Sequence, residues 1–207
     1  MKGNLRAAVA AALLAGGMAP VWAQKLMSMP STSMEPTYHS GSQVWVNLLV
    51  MITDDPVRGD VVVYRPPTGD GWFISRVVGQ PGDVVAYGSD RRLTLNGRAV
   101  PTDLTKERLP ALEKYLGRTV AVYVEALPGA RHRVVFPAPG SEPPILRYDA
   151  LEHEPTCQVS REAFVCTVPK GRYFLMGDHR DNARDSRYLG FIAREAIGGR
   201  VSTGDSP

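Results

Sequence analysis

Past residue 25 the apolar stretches of this 207-residue chain are short, and a glycine or proline closes nearly every one. Apolar runs of about four to eight residues between turn signals fit strands and are too short for a helical bundle. Gln43–Val50 follows Ser40-Gly41-Ser42, Asp60–Tyr64 sits between Gly59 and Pro66-Pro67, and Trp72–Val78 alternates up to Gly79. Asp83–Tyr87 follows Pro81-Gly82, and Arg172–Met176 stops at Gly177. Arg92–Asn96 and Arg98–Val100 flank Asn96-Gly97, a strong hairpin signal. Thr119–Glu125 and Arg131–Phe136 alternate across Pro128-Gly129. The pattern predicts a mostly β, antiparallel architecture. Leu104–Leu116 is the one helix candidate, and Pro110 predicts a break within it. The stretch 88–169 is more polar and richer in proline, so it reads as an inserted β-rich lobe. Residues 25–87 and 170–203 read as two halves of one core.

Composition excludes several classes. With 20 glycines and 17 prolines the chain is rich in turns, but 43% apolar residues rule out disorder. Lys and Arg number 24 against 21 Asp and Glu, a balance that gives no ground for a nucleic-acid partner.

Residues 1–24 form a hydrophobic segment. Lys2 and Arg6 give a basic start, residues 7–24 carry no charge, and Val21-Trp22-Ala23 places small residues where a processing enzyme reads them. This is a secretory signal pattern, with an uncleaved membrane anchor as the alternative. Either reading keeps the basic end cytoplasmic and exports the rest. In an exported chain the only two cysteines, Cys157 and Cys166, suggest one disulfide closed by two short strands and a turn. They cannot by themselves build a metal site, and no metal or cofactor is expected.

Three segments carry chemistry. Pro30-Ser-Thr-Ser-Met-Glu-Pro-Thr37 sets Ser31 and Ser33 two apart, so both hydroxyls can face one pocket from an extended loop. Arg58-Gly-Asp60 and Ile74-Ser-Arg-Val-Val-Gly-Gln-Pro-Gly-Asp83 read physically as strand, tight turn, strand. Gly177-Asp-His-Arg-Asp-Asn-Ala-Arg-Asp-Ser-Arg-Tyr-Leu-Gly190 follows an apolar strand, and its alternating Asp and Arg can pair internally into a rigid loop.

Together and in this order, the segments resemble the boxes of the bacterial type I signal peptidase (leader peptidase) family, serine endopeptidases with a Ser–Lys dyad on a mostly β fold. The resemblance implies Ser33 as nucleophile, Ser31 as a helper of the Ser33 N–H in binding the oxyanion, and Asp185 and Arg187 as a bracing pair. Where the family motif reads Lys-Arg-Val this chain reads Ser75-Arg76-Val77, so Ser75 occupies the place of the general base. Ala183 stands where the family tends to place a serine that bonds the lysine, and His179 replaces an Asn. A serine hydroxyl is a weak nucleophile without a base in hydrogen-bond reach, and Ser75 keeps its own proton. His179 is the best substitute base by its ordinary pKa, against a plain hydrogen-bonding role in place of the Asn. Lys25, His39, His132 and His153 are weaker candidates.

The implied partners are signal peptides of secretory preproteins and the bacterial inner membrane, with the bulk of the chain on the periplasmic side. The implied activity is cleavage after small-x-small motifs. Two alternatives stand beside it: a pseudoenzyme that binds signal-peptide-like segments, and a dedicated peptidase of a secretion or conjugation system.

Overall fold

The computed structural model describes residues 24–49, 54–141 and 148–202. The signal or anchor segment expected over 1–24 lies outside them, apart from Gln24. Among the described residues no helix is long and apolar enough to cross a membrane.

Fifteen named strands build three antiparallel sheets among the described residues. The largest has seven strands: β1 (Gln24–Ser28), β2 (Gln43–Asn47), β15 (Ile197–Val201), β3 (Val61–Tyr64), β4 (Phe73–Gly79), β13 (Arg172–Met176) and β14 (Ile192–Ala193), in that order. The central strands β3 and β4 are buried along almost their whole length because apolar clusters cover both faces. Val62, Tyr64 and Val77 face Leu175 and Ile197 on one side; Val61, Val63 and Ile74 face Met29 and Met34 on the other. Strand alternation therefore makes β4 the divide between two cores. The sheet joins distant segments, since β13 pairs with β4 and β15 with β3.

A five-stranded sheet runs β11 (Cys157–Val159), β12 (Ala163–Thr167), β5 (Val84–Gly88), β6 (Leu93–Leu95), β7 (Arg98–Ala99). Leu95 faces Arg98 across the two-residue turn Asn96-Gly97, and both turn residues have positive φ, 52° and 76°. That is the backbone a tight type I′ hairpin requires, and Asn-Gly supplies it at little steric cost. Cys157 and Cys166 are direct cross-strand partners and form a disulfide. Phe164 of β12 stacks on Phe174 of β13 and Tyr148, which ties this sheet to the largest one.

The third sheet holds β8 (Thr102–Leu104), β9 (Val120–Leu127) and β10 (Ala130–Pro137), with β9 in the middle. Short helices α1 (Pro110–Leu116), α2 (Asp149–Glu152) and α3 (Ser186–Leu189) fill the connections. Pro110 does not break a helix over Leu104–Leu116; it opens α1. The first helical position needs no backbone N–H, so proline is suited to it. Leu104 belongs instead to β8, and Gly117 (φ 65°) ends the helix in the left-handed region.

Candidate active site

The loop that follows β1 is anchored by Met34, which is fully buried in the core cluster with Val61, Val63 and Ile74. Burying that side chain leaves its neighbour Ser33 half-exposed at the surface of a groove. Ser31 Oγ lies 3.0 Å from Ser33 Oγ and accepts a long contact of 3.4 Å from the Ser33 N–H. The two hydroxyls therefore share one small polar patch.

The groove, about 830 Å³, brings together three distant segments. Ser31 and Ser33 come from the loop, Trp72, Phe73, Ile74 and Ser75 from β4 and its approach, and Asp181 to Arg184 from the loop before α3. Its walls are mainly apolar, with Met27, Met29 and Tyr188 completing them. Ser33, Ser75 and Ala183 line it together; Asp185 does not. Its carboxylate is fully buried behind the groove.

Ser75 is almost wholly buried, and its Oγ lies 3.4 Å from the Tyr64 hydroxyl across the strand pair. Burial raises the Tyr64 phenol well above its ordinary range, against a lowering by the Ser75 bond, so it stays protonated. Neither lysine nor histidine appears among the described residues that line the groove.

His179 sits just outside the groove. Its backbone N–H donates to the Ser33 carbonyl at 3.0 Å, and its Nδ1 stands 3.2 Å from the Thr32 carbonyl, which fixes the proton on Nδ1. Burial depresses its pKa to about 4, against a raising by the Thr32 contact. The ring is neutral at pH 7, its Nε2 is buried without a partner, and no bond joins it to Ser33 Oγ. Next to it, Asn182 Nδ2 donates to Thr32 Oγ1 at 2.7 Å. Gly177 makes this approach possible: a Cβ there would lie 2.7 Å from the Ser33 carbonyl oxygen and 2.3 Å from the Ala183 Cβ.

The charges of the 177–190 loop divide between inward and outward pairs. Asp185 and Arg187 pair internally through two hydrogen bonds, 2.9 and 2.7 Å, and Asp185 Oδ2 also accepts the Gly177 N–H at 2.8 Å. Asp178 pairs outward instead, taking two bonds from Arg76 of β4 (2.8 and 2.6 Å) and one from the Thr37 hydroxyl at 2.5 Å. Arg180 reaches Glu125 of β9 with bonds of 2.7 and 2.5 Å, both side chains fully buried. Burial alone would raise the Glu125 carboxyl, but Arg180 and the nearby His132 hold it down at about 2. Val135 of β10 closes the junction: its N–H donates to the Asp178 carbonyl and its carbonyl accepts the Arg180 N–H. Arg76 and Thr37 lie in two of the motif segments and Glu125 at the end of an alternating strand, but nothing in the sequence assigns them these partners. The alternating charges of the loop were the only available signal, and they cannot identify partners far away in the chain.

The remaining candidates lie apart. Lys25 and His153 are exposed, His39 is paired with Glu35 at 2.8 Å, and His132 is buried with Nε2 3.3 Å from Glu125. None of them lines the groove.

The family profile described as "Signal peptidase, peptidase S26" matches residues 1–203. Signal peptidase I of Aquifex aeolicus is 32% identical over 186 residues, covering 84% of this chain and 72% of that protein. Signal peptidase I of Pseudomonas fluorescens is 35% identical over 196 residues, with 84% of this chain and 61% of that protein covered. The chain thus spans between three fifths and three quarters of the length of these two relatives. A crystal structure of a signal peptidase I from Enterococcus faecalis aligns with a TM-score of 0.40 at 22% identity, over 72% of this chain and 98% of that one. By the match along nearly its whole length, this chain belongs to the signal peptidase family, peptidase S26.

Proposed function

We propose that the chain is a serine endopeptidase that removes N-terminal signal peptides from exported preproteins after small-x-small motifs, tethered to the inner membrane with its groove on the outer side. The observation that carries this reading is the Ser31–Ser33 hydroxyl pair, 3.0 Å apart, opening on a largely apolar groove. An extended peptide fits such a groove, held by backbone pairing, with alternate side chains in its apolar recesses. Ser33 Oγ would attack the scissile carbonyl, and the Ser33 N–H with the Ser31 hydroxyl would bind the oxyanion. Asp185 with Arg187, and His179 through the Thr32 and Ser33 carbonyls, would hold the loop in place. A neutral, buried His179 without contact to Ser33 Oγ fits the bracing role rather than that of a base.

Proton transfer is then the weak step. A positioned base contributes about 10²–10⁴-fold, so turnover is expected to be lower by roughly that factor than with a lysine in the groove. Purified protein and the Ser33→Ala variant are to be compared on a fluorogenic signal-peptide substrate. Slow cleavage lost in Ser33→Ala supports the enzyme; equal rates in both would refute Ser33 as nucleophile.

A second reading, a non-catalytic binder of signal-peptide-like segments, is favoured by the absence of lysine and histidine from the described groove lining. It predicts binding of the same peptide in wild type with no turnover above background.

A further inference from the structure

The nucleophile loop is a ridge with a groove on each side. Ser31 and Ser33 face the groove described above, while Thr32, between them, lines a second groove of about 470 Å³. Its far wall is α1 and the residues leading into it: Arg108, Leu109, Ala111, Leu112 and Tyr115. The floor is apolar, with Leu112 buried, and Tyr115 stands 74% exposed at the edge. On the near wall the buried Glu35 carboxylate holds His39 at 2.8 Å and the Ser40 N–H at 3.3 Å, which leaves a polar rim.

The two walls are tied by one side chain. Arg133 of β10 donates to the Glu107 carboxylate at 2.7 Å and to the Pro36 carbonyl at 2.9 Å. One guanidinium thus bridges the lead into α1 and the nucleophile loop beside the groove. A groove whose walls are tied in this way loses less on binding than one that must form around its occupant.

We propose that this second groove binds the first residues of the mature protein, downstream of the scissile bond, and favours a large apolar or aromatic side chain there. The inference rests on the reading of the chain as a preprotein-cleaving enzyme. A peptide seated over Ser33 and running on past Thr32 meets this groove, because Thr32 lines it on the other side of the loop. Apolar floor, polar rim and exposed aromatic edge suit an extended segment with one side chain inward and its backbone at the rim. The exposed Tyr115 ring offers contact area at small entropy cost, because few bonds are immobilised. Groove chemistry on the two sides then divides the specificity: the leader on one side, the start of the mature chain on the other.

The test measures binding by fluorescence anisotropy in the Ser33→Ala protein, so that no peptide is consumed. One labelled peptide ends at the small-x-small junction; the other continues into a mature segment with an aromatic residue. The longer peptide is expected to bind more tightly. Tyr115→Ala and Ala111→Glu should each weaken the longer peptide by roughly 3- to 10-fold and leave the shorter one unchanged. Both positions are exposed on α1, so the fold is not at stake. Equal affinity of the two peptides, or equal weakening of both in the variants, would overturn the inference and leave the cleavage reading intact. If neither peptide binds, the cleavage reading falls and the inference falls with it.

Discussion

A lysine placed at Ser75 would start from a buried position on the groove wall. Ser75 is almost wholly buried, its one side-chain hydrogen bond among the described residues is to the protonated Tyr64 hydroxyl, and it shares the groove with Ser33. Burial disfavours the ammonium, so the new amine should carry a lowered pKa and be available as a base near neutral pH. Ser75→Lys is expected to raise kcat/KM on a signal-peptide substrate by about 10²–10⁴-fold. Ala183→Ser should increase the gain further and couple with Ser75→Lys, since its hydroxyl would open on the same groove and orient the amine. A folded Ser75→Lys protein that cleaves no faster would refute the account of the missing base. The neighbouring His179 makes a different prediction. Its pKa falls from an ordinary 6.5 to about 4 on folding, so between those values the unfolded chain binds a proton the native one refuses. Its neutral-form preference is fully present above pH 6.5 and is lost as pH falls toward 4. The change amounts to about 3 kcal/mol at most. In thermal melts across this range, His179→Asn should flatten the slope, because an amide can still donate to Thr32 and does not titrate. An unchanged slope would show that the ring is not the titrating group.

At the scale of elements, the turn residues carried most of the legible information. Asn96-Gly97 and Pro128-Gly129 marked two hairpins, and the strand before Gly177 ends where the pattern placed it. β1 escaped notice because Gln-Lys-Leu-Met-Ser has neither alternation nor β-branched residues, and only pairing with β2 makes it a strand. Pro110 was misread because a proline looks alike at the start and in the middle of a helix until the pairing of Thr102–Leu104 removes the first turn. The groove residues Ser33, Ser75 and Ala183 were named from motif order, and their meeting depends on the β3–β4–β13 pairings, which no local pattern encodes. The hairpin of β11 and β12 offers a direct measurement. Cys157 and Cys166, nine apart, close a short loop, so their bond removes about 2–3 kcal/mol of unfolded-state entropy. Urea unfolding of a Cys157→Ser, Cys166→Ala double variant should show that loss, and reductant should then have no further effect. Coincident curves for wild type with and without reductant would exclude this contribution.

Across the whole molecule, the three sheets converge on residues 177–180. β13 of the largest sheet leads into them, Val135 of the third sheet bonds to them on both sides of His179, and Phe174 joins them to the five-stranded sheet. The loop that carries Ser33 packs on the same four residues through Gly177 and His179, so the position of Ser33 depends on contacts made far from the groove. The Glu125–Arg180 pair is the strongest of these in geometry, with two short bonds in full burial between partners 55 positions apart in the chain. Removing one partner of such a pair strands the other charge, a cost of about 3–5 kcal/mol, whereas replacing both by apolar side chains of similar size is often neutral. Glu125→Gln should therefore lower the unfolding free energy by that amount, while Glu125→Leu with Arg180→Met recovers most of it. Acid should act on wild type in the same direction. The Glu125 pKa falls from 4.5 to about 2 on folding, so its contribution is present above pH 4.5 and drains away toward pH 2. The double variant should lack this acid limb. If, after such repacking, the protein is stable but Ser33 no longer reacts with a serine-directed acylating probe, the pair is what registers β9 against the loop. If stability and acylation both return to wild-type levels, the junction is held by the Val135 bridge, and the buried pair does not set the position of Ser33.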